Sequence, residues 1–325
     1  MEFYATAILL LSISAALAII SAIVSTILKL FGLPFLKSFK RGLWSLLIFP
    51  TLLLYGNLIE RNLTNVEEVE INSDKVPASF DGYRIVQISD IHLRSYENRL
   101  KRLQKTVDEI NALNPDVILS TGDLVSLNSS ELDFSEDILR KLEANDGVYS
   151  ILGNHDYSHY NRDWSEEKRR EDVASLIRRQ RGMGWHLLLN ENRQITRGSD
   201  TISIIGVENT SAKNRFRSSG NLPKAIEGSK GSYKILLTHD PSHWRAEVLD
   251  HPDIDLTLSG HTHGMQSSLF GWSIISLLYD EYKGLYKEGE QLLYVNIGLG
   301  ETMFPFRIGA PPEITLFTLR STRHP

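Results

Sequence analysis

The stretch LTLSGHTHG, Leu256 to Gly264, sets two of the chain's ten histidines one residue apart, after an apolar run and between two glycines. Side chains at i and i+2 project to the same side of an extended segment. His261 and His263 at a strand end are therefore suited to a shared ligand. A lone histidine in such a place is commonly a satisfied core side chain. A pair raises the question of partners elsewhere in the chain.

Working outward from this stretch, short apolar runs rich in β-branched residues alternate with segments of helical periodicity. The runs at 83–89, 116–120, 147–152, 201–207, 233–238 and 253–259 predict strands. Leu100, Leu103, Val107 and Ile110 recur at helical spacing, so Glu97 to Leu113 predicts an amphipathic helix. Phe134, Ile138 and Leu142 mark a second helix, and the charged segment 162–181 a third. This alternation predicts an α/β class. LLYVNIG and EITLFTL near the C-terminus alternate as antiparallel or edge strands do, which predicts a second sheet. Two sheets with helices outside make a layered sandwich.

Five of these six predicted strands are followed directly by polar side chains that could share a site. SDIH supplies Asp90 and His92, TGD supplies Asp123, and LGNHD supplies Asn154, His155 and Asp156. LTHD supplies His239 and Asp240, and SGHTH the histidine pair. Ligands of open α/β sheets bind beyond the carboxyl ends of the strands, so five strand ends converge on one place. Imidazole, carboxylate and carboxamide without sulfur suit manganese, iron or zinc. The donors exceed the needs of one ion and fit two, bridged by one carboxylate, an arrangement that activates a bridging water and clamps phosphoryl oxygens. Singly each motif is weak: Gly-Asp is as often a turn, and Asn154 alone a cap. Their ordered recurrence after strands is what carries the reading.

The set D-x-H, G-D, G-N-H-D, H, G-H-x-H resembles the signature of the calcineurin-like metallophosphoesterase family between about Tyr83 and His263. The tail 294–318 is similar to that of the family's bacterial membrane-associated phosphodiesterase branch. The resemblance implies a four-layer α/β/β/α sandwich with a dinuclear site. It implies Asp90, His92 and His263 on one divalent ion, Asn154, His239 and His261 on the other, and Asp123 bridging. It further implies His155 as the acid that protonates the leaving oxygen, with Asp156 positioning its ring. Relatives often carry a basic residue where Ile297 stands. Arg94, His159 and Tyr160 follow the motifs closely and are expected to line the cleft and contact substrate. His186, His243, His251 and His324 match no motif and are expected to be structural or exposed. The direction of Arg307 is not legible. The apolar run FGWSIISLL, beside the last metal motif, is expected to be core, or a lip that touches lipid.

Composition narrows the function classes. The chain has 325 residues, 42% of them hydrophobic, and no cysteine, which excludes disulfides, zinc fingers, iron–sulfur clusters and a thiol nucleophile. A net charge of −5 argues against nucleic acid as a partner. Phe3 to Leu28 holds no charged residue over 26 positions, more than the roughly 20 needed to cross a bilayer. Gly42 to Ile59 is a second uncharged run, of 18, containing Pro50. Residues 1–60 are therefore expected to be an anchor of two transmembrane helices, 61–81 a linker or edge strand, and 82–325 the catalytic domain. Lys29, Lys37, Lys40 and Arg41 lie between the runs, and basic loops stay cytoplasmic. That puts the catalytic domain outside the cytoplasm, on a multi-pass protein of the cell membrane. If the second run lies in the interface instead, the domain is cytoplasmic. The expected substrate is a phosphodiester or pyrophosphate, in a lipid-linked molecule. The rivals are a pyrophosphohydrolase of UDP-2,3-diacylglucosamine in lipid A synthesis and a non-catalytic metal-binding scaffold. Self-association is not legible.

Overall fold

The computed structural model describes residues 2–213 and 218–322, so His324 lies outside the described residues. The strands are β1 (Asn65–Ser73), β2 (Arg84–Ile88), β3 (Val117–Ser120), β4 (Val148–Ser150), β5 (His186–Leu187), β6 (Glu191–Arg197), β7 (Asp200–Gly206), β8 (Tyr233–Leu237), β9 (Leu256–Ser259), β10 (Gly284–Glu288), β11 (Gln291–Val295) and β12 (Glu313–Ser321). The helices are α1 (Glu2–Leu30), α2 (Phe35–Leu43), α3 (Ser45–Leu58), α4 (Leu100–Ala112), α5 (Glu136–Leu139), α6 (Glu166–Gly182), α7 (Leu222–Ile226) and α8 (Ser242–Ala246).

The strands form two six-stranded sheets, ordered β1-β12-β2-β3-β4-β5 and β10-β11-β9-β8-β7-β6. Alternation along β2 shows why they stack. Ile85 points into a core shared with Ile202, Ile235 and Leu258 of the other sheet. Val86 and Ile88 point the opposite way, onto Leu103, Val107 and Ile110 of α4, since successive strand residues face opposite sides. Burying each such aliphatic side chain contributes about 1.5–3 kcal/mol. The far face of the second sheet packs Leu236 and Val295 against Leu222 of α7 and Trp244 of α8. The layers run helix, sheet, sheet, helix, as expected. β2, β3 and β4 are mutually parallel, as are β7, β8 and β9. Their carboxyl ends therefore emerge along one rim.

Two parts were unreadable from pattern alone. β12 returns to the first sheet, antiparallel to β2 and parallel to β1, rather than joining the second. The expected helix at Phe134 to Leu142 is shorter, a 3₁₀ segment followed by the single turn of α5.

The N-terminal segment also departs from expectation. Within α1, Leu11–Leu30 has a mean hydropathy of 2.3 and is long enough to cross a membrane. The second run is not one helix. Its first residues end the basic helix α2, and α3 follows with Pro50 inside. The 14 residues of α3 rise about 21 Å, short of the ~30 Å hydrocarbon layer. One helix of the described residues, not two, meets the length for crossing. The last turn of α3 is instead seated on the two-sheet part of the chain. Gly56 O accepts from Arg307 N at 3.3 Å, and a Cβ on Gly56 would lie 2.7 Å from Arg307 O. Asn57 Nδ2 donates to Pro305 O at 2.5 Å, and Arg61 pairs with buried Glu301 at 3.2 Å.

Candidate metal centre

The strand ends deliver the expected side chains to one buried cluster. Asp90, His92 and His263 present donor atoms within 4.8 Å of one another, and so do Asp123, His239 and His261. In the first group, His92 Nε2 lies 3.1 Å from His263 Nε2, and His263 Nε2 lies 3.3 Å from Asp90 Oδ1. In the second, His239 Nε2 is 3.1 Å from Asp123 Oδ2 and 3.2 Å from His261 Nδ1. Asp123 Oδ2 is also 3.6 Å from His92 Nε2. One carboxylate oxygen thus faces both groups.

The backbone is bent to achieve this. Asp90, His92, Asp123, His261 and His263 all have positive φ, between 45° and 72°, a region costly for residues with a Cβ. The extended geometry that would aim His261 and His263 at one ligand is therefore broken after Ser259. His261 turns to the second group and His263 to the first. Gly260 lets the chain pass Asp90: a Cβ there would overlap Ser89 Oγ and Asp90 Oδ2. Asp90 Oδ2 is held by Ser89 Oγ and by His261 N at 2.9 Å.

The donors fit divalent cations. Asp90 Oδ1 and Asn154 Oδ1 are buried without a hydrogen-bond partner, which is costly unless a cation answers them. Asn154 Nδ2 donates to Tyr160 Oη at 2.9 Å, and this turns its oxygen the other way. Burial, then the nearby His155, pushes His92 down to about 3. Burial lowers His263 and brings His261 to about 4. These three imidazoles are neutral at pH 7, the form that ligates metal. Burial opposes charge on His239, yet Asp123 and Asp90 outweigh it and raise it to about 10. Burial likewise opposes charge on Asp123, but His239, His155 and His92 hold it well below its usual range. A cation held at the second group would take the place of the His239 proton.

The remaining predicted residues divide. His155 stands at the cluster, its ring 4.7 Å from that of His92 and stacked on Tyr160 at 4.0 Å. Its Nδ1 faces Ser126 O at 2.7 Å. Asp156 does not position that ring. Its carboxylate accepts from the backbone N–H of Asp123, Val125 and Gly153, three donors that claim both oxygens and clamp two loops together. Arg94 is exposed two residues beyond His92. His159 packs its ring toward Tyr157 at 6.4 Å, while Tyr160 touches the cluster through Asn154 and His155. His243 is buried between Thr238 and Glu247, and His186 is exposed beside Tyr149. Ile297 is buried.

Sequence reading missed Ser126 and Tyr279, and left the direction of Arg307 open. Tyr279 Oη lies 3.0 Å from His261 Nε2 and donates to Asp240 Oδ2 at 3.4 Å. The adjacency of Asp240 to His239 hinted at that pairing, but nothing local pointed to Tyr279. Arg307 is fully buried behind the site and donates to the carbonyls of Ile297, Gly300 and Ala310. Gly300 N in turn donates to Asp90 O at 2.8 Å.

The calcineurin-like phosphoesterase family matches residues 83–265. "Transmembrane protein with metallophosphoesterase domain" from Danio rerio is 34% identical over 87% of this chain, which spans 63% of that relative's length. "Uncharacterized metallophosphoesterase YkuE" from Bacillus subtilis is 34% identical over 82% of this chain and 90% of its own length. "UDP-2,3-diacylglucosamine pyrophosphatase LpxG" from Chlamydia trachomatis is 30% identical over 85% of this chain and 95% of its own. With a match over more than half its length and these relatives, the chain belongs to the calcineurin-like phosphoesterases, hydrolases that act on phosphoesters.

Proposed function

We propose that the protein is a membrane-anchored phosphoesterase that hydrolyses a phosphodiester or pyrophosphate bond in a lipid-linked substrate. The observation that supports it best is the pair of donor groups that share Asp123 at the rim of two parallel strand sets. Asp90, His92 and His263 would hold one divalent ion, and Asn154, His239 and His261 the other. The ions, manganese, iron or zinc, supply Lewis-acid polarisation of phosphoryl oxygens and an activated nucleophile. The chain's own residues do the rest. Tyr160 holds the Asn154 amide in its ligating orientation. Ser126 O fixes the His155 ring, leaving Nε2 to protonate the departing oxygen. Arg94, exposed beside His92, meets the substrate phosphate. Residues 1–60 serve as the anchor and 82–325 as the catalytic unit, joined through β1.

The test compares His155→Ala and Asp123→Asn in the full chain. His155→Ala should keep its metal content and lose about 10²–10⁴-fold in turnover of a soluble diester. Asp123→Asn should lose occupancy of both ions. Unchanged turnover in the first, or full occupancy in the second, refutes these roles.

A second reading, a cytoplasmic pyrophosphohydrolase of a nucleotide-linked acylated sugar, is supported by two observations. One is the resemblance to the Chlamydia trachomatis pyrophosphatase along 95% of its length. The other is the shortness of α3: a helix lying in the interface keeps the catalytic part on the side of Lys37, Lys40 and Arg41, the cytoplasmic side. A crossing α3 puts it outside. A topology reporter fused at the C-terminus separates the two.

A further inference from the structure

Two neighbouring loops at the mouth of the metal centre expose large apolar side chains. On the first, which follows His263, are Met265, Leu269, Phe270, Trp272 and Leu277. On the second is Met303. Phe270 is fully exposed, Met303 91% and Leu277 72%. Single exposed apolar residues are ordinary, but a contiguous set marks a binding surface. The two loops are one structure. Gln266 Nε2 donates to Phe304 O at 2.9 Å and to Phe306 O at 3.1 Å, and Ser268 N donates to Ile308 O at 2.7 Å.

The tip of the first loop is a tight hairpin. Leu269 and Trp272 exchange backbone hydrogen bonds of 2.8 and 3.0 Å. Between them Phe270 has φ 52° and Gly271 φ 82°, the paired positive values of a turn that favours Asn or Gly. An aromatic ring there is costly, and no packing among the described residues repays it.

Continuity identifies what covers this surface. The second loop carries Pro305 and Arg307, the groups on which the last turn of α3 is seated through Gly56, Asn57 and Arg61. Leu54 and Leu58 of α3 are themselves exposed. Apolar surface therefore runs from the N-terminal helices onto the loops around the site. Charge does not account for it: residues 61–325 hold 31 basic and 38 acidic residues, a balance that anionic lipid does not attract.

We infer that the loops at 265–278 and 302–305 form a lip that enters the headgroup–acyl boundary of the bilayer holding α1, so that the metal centre faces the membrane surface. This rests on the membrane anchoring proposed above. The lip is tied to the site at its base, where Tyr279 meets His261. A phosphoester carried on a lipid then reaches the ions with its tail still in the bilayer. An amphipathic surface of this kind sits about 5–10 Å into the boundary.

The chain's lack of cysteine makes the test direct. Full-length proteins carrying one of Ile19→Cys, Phe270→Cys, Met303→Cys or Glu290→Cys are labelled with an environment-sensitive fluorophore. They are reconstituted into phosphatidylethanolamine–phosphatidylglycerol vesicles that contain a nitroxide lipid. Glu290 sits beside the amino end of β11, which runs parallel to β9, and so reports the opposite end of the strands from the site. Emission should be lost at 19, 270 and 303 and kept at 290. Loss at 19 alone overturns the lip while the anchor stands. Emission kept at 19 overturns both. A blue shift at 270 and 303 without quenching overturns it in favour of a protein contact. Hydrolysis of a soluble diester by the unsubstituted chain in the same vesicles reports the phosphoesterase reading separately.

Discussion

Tyr160→Phe separates two roles that sequence alone could not. Placed just after GNHD, Tyr160 was expected to touch substrate. The structure gives its hydroxyl a different task, accepting from Asn154 Nδ2 at 2.9 Å. Removing that oxygen leaves the ring stacked on His155 and frees the Asn154 amide to rotate. A neutral hydrogen bond contributes about 0.5–1.5 kcal/mol. Tyr160 is 44% exposed, so water replaces part of it, and the lower half of that range applies. At 1.4 kcal/mol per tenfold, 0.5–1 kcal/mol is about a two- to fivefold loss of affinity for the ion proposed to sit on Asn154. The assay is titration of metal-stripped protein with Mn²⁺, read by calorimetry and by recovery of diester turnover. Affinity for one of the two ions should fall in that range, while KM at saturating metal stays unchanged. Unaltered metal affinity with a raised KM would show that the hydroxyl binds substrate and that Asn154 is oriented by something else.

Three further outcomes follow from the same geometry. Gly260→Ala drives a Cβ into Ser89 Oγ and Asp90 Oδ2; it should abolish binding of the first ion while circular dichroism still reports a folded sandwich, and native metal content would refute it. Burial raises Glu313 to about 7, against hydrogen bonds from Thr315 and Tyr294 that favour its charge. Below pH 4.5 both states hold that proton; between 4.5 and 7 the folded state holds more, so stability falls as pH rises, by about 3 kcal/mol once above 7. Glu313→Gln keeps the acceptor for Tyr294 Oη and Thr315 Oγ1 and removes the charge. Its melting temperature should match the wild type near pH 4.5 and exceed it at pH 8; a difference independent of pH would refute this. Arg307→Leu strips the donors from three carbonyls and loosens the Gly300 strap over Asp90; it should lower affinity for the first ion, and a purely global loss of stability with native affinity would count against that link.

The gathering of Asp90, His92, Asp123, His239, His261 and His263 was legible in sequence because each follows its own strand within a few residues. Parallel strands deliver their carboxyl ends to one rim whatever the details of packing. The β-branched run YRIVQIS likewise announced a strand, and with the helical spacing of Leu103, Val107 and Ile110 it announced the layers. What depended on distant segments was not legible. The turn at Ser259 that sends His261 and His263 to different groups, the placing of Asp156 on backbone rather than on His155, and the contact of Tyr279 with His261 each arise from pairs far apart in the chain. The second apolar run shows the same limit. Its hydropathy suits a membrane, but Trp44 divides it and the last turn of α3 is seated on Pro305 and Arg307, some 250 residues on. Periodicity and strand-end chemistry are local properties that a sequence carries by itself. Which ring a carbonyl orients, and which loop a helix end rests on, are settled only when the packed chain brings them together.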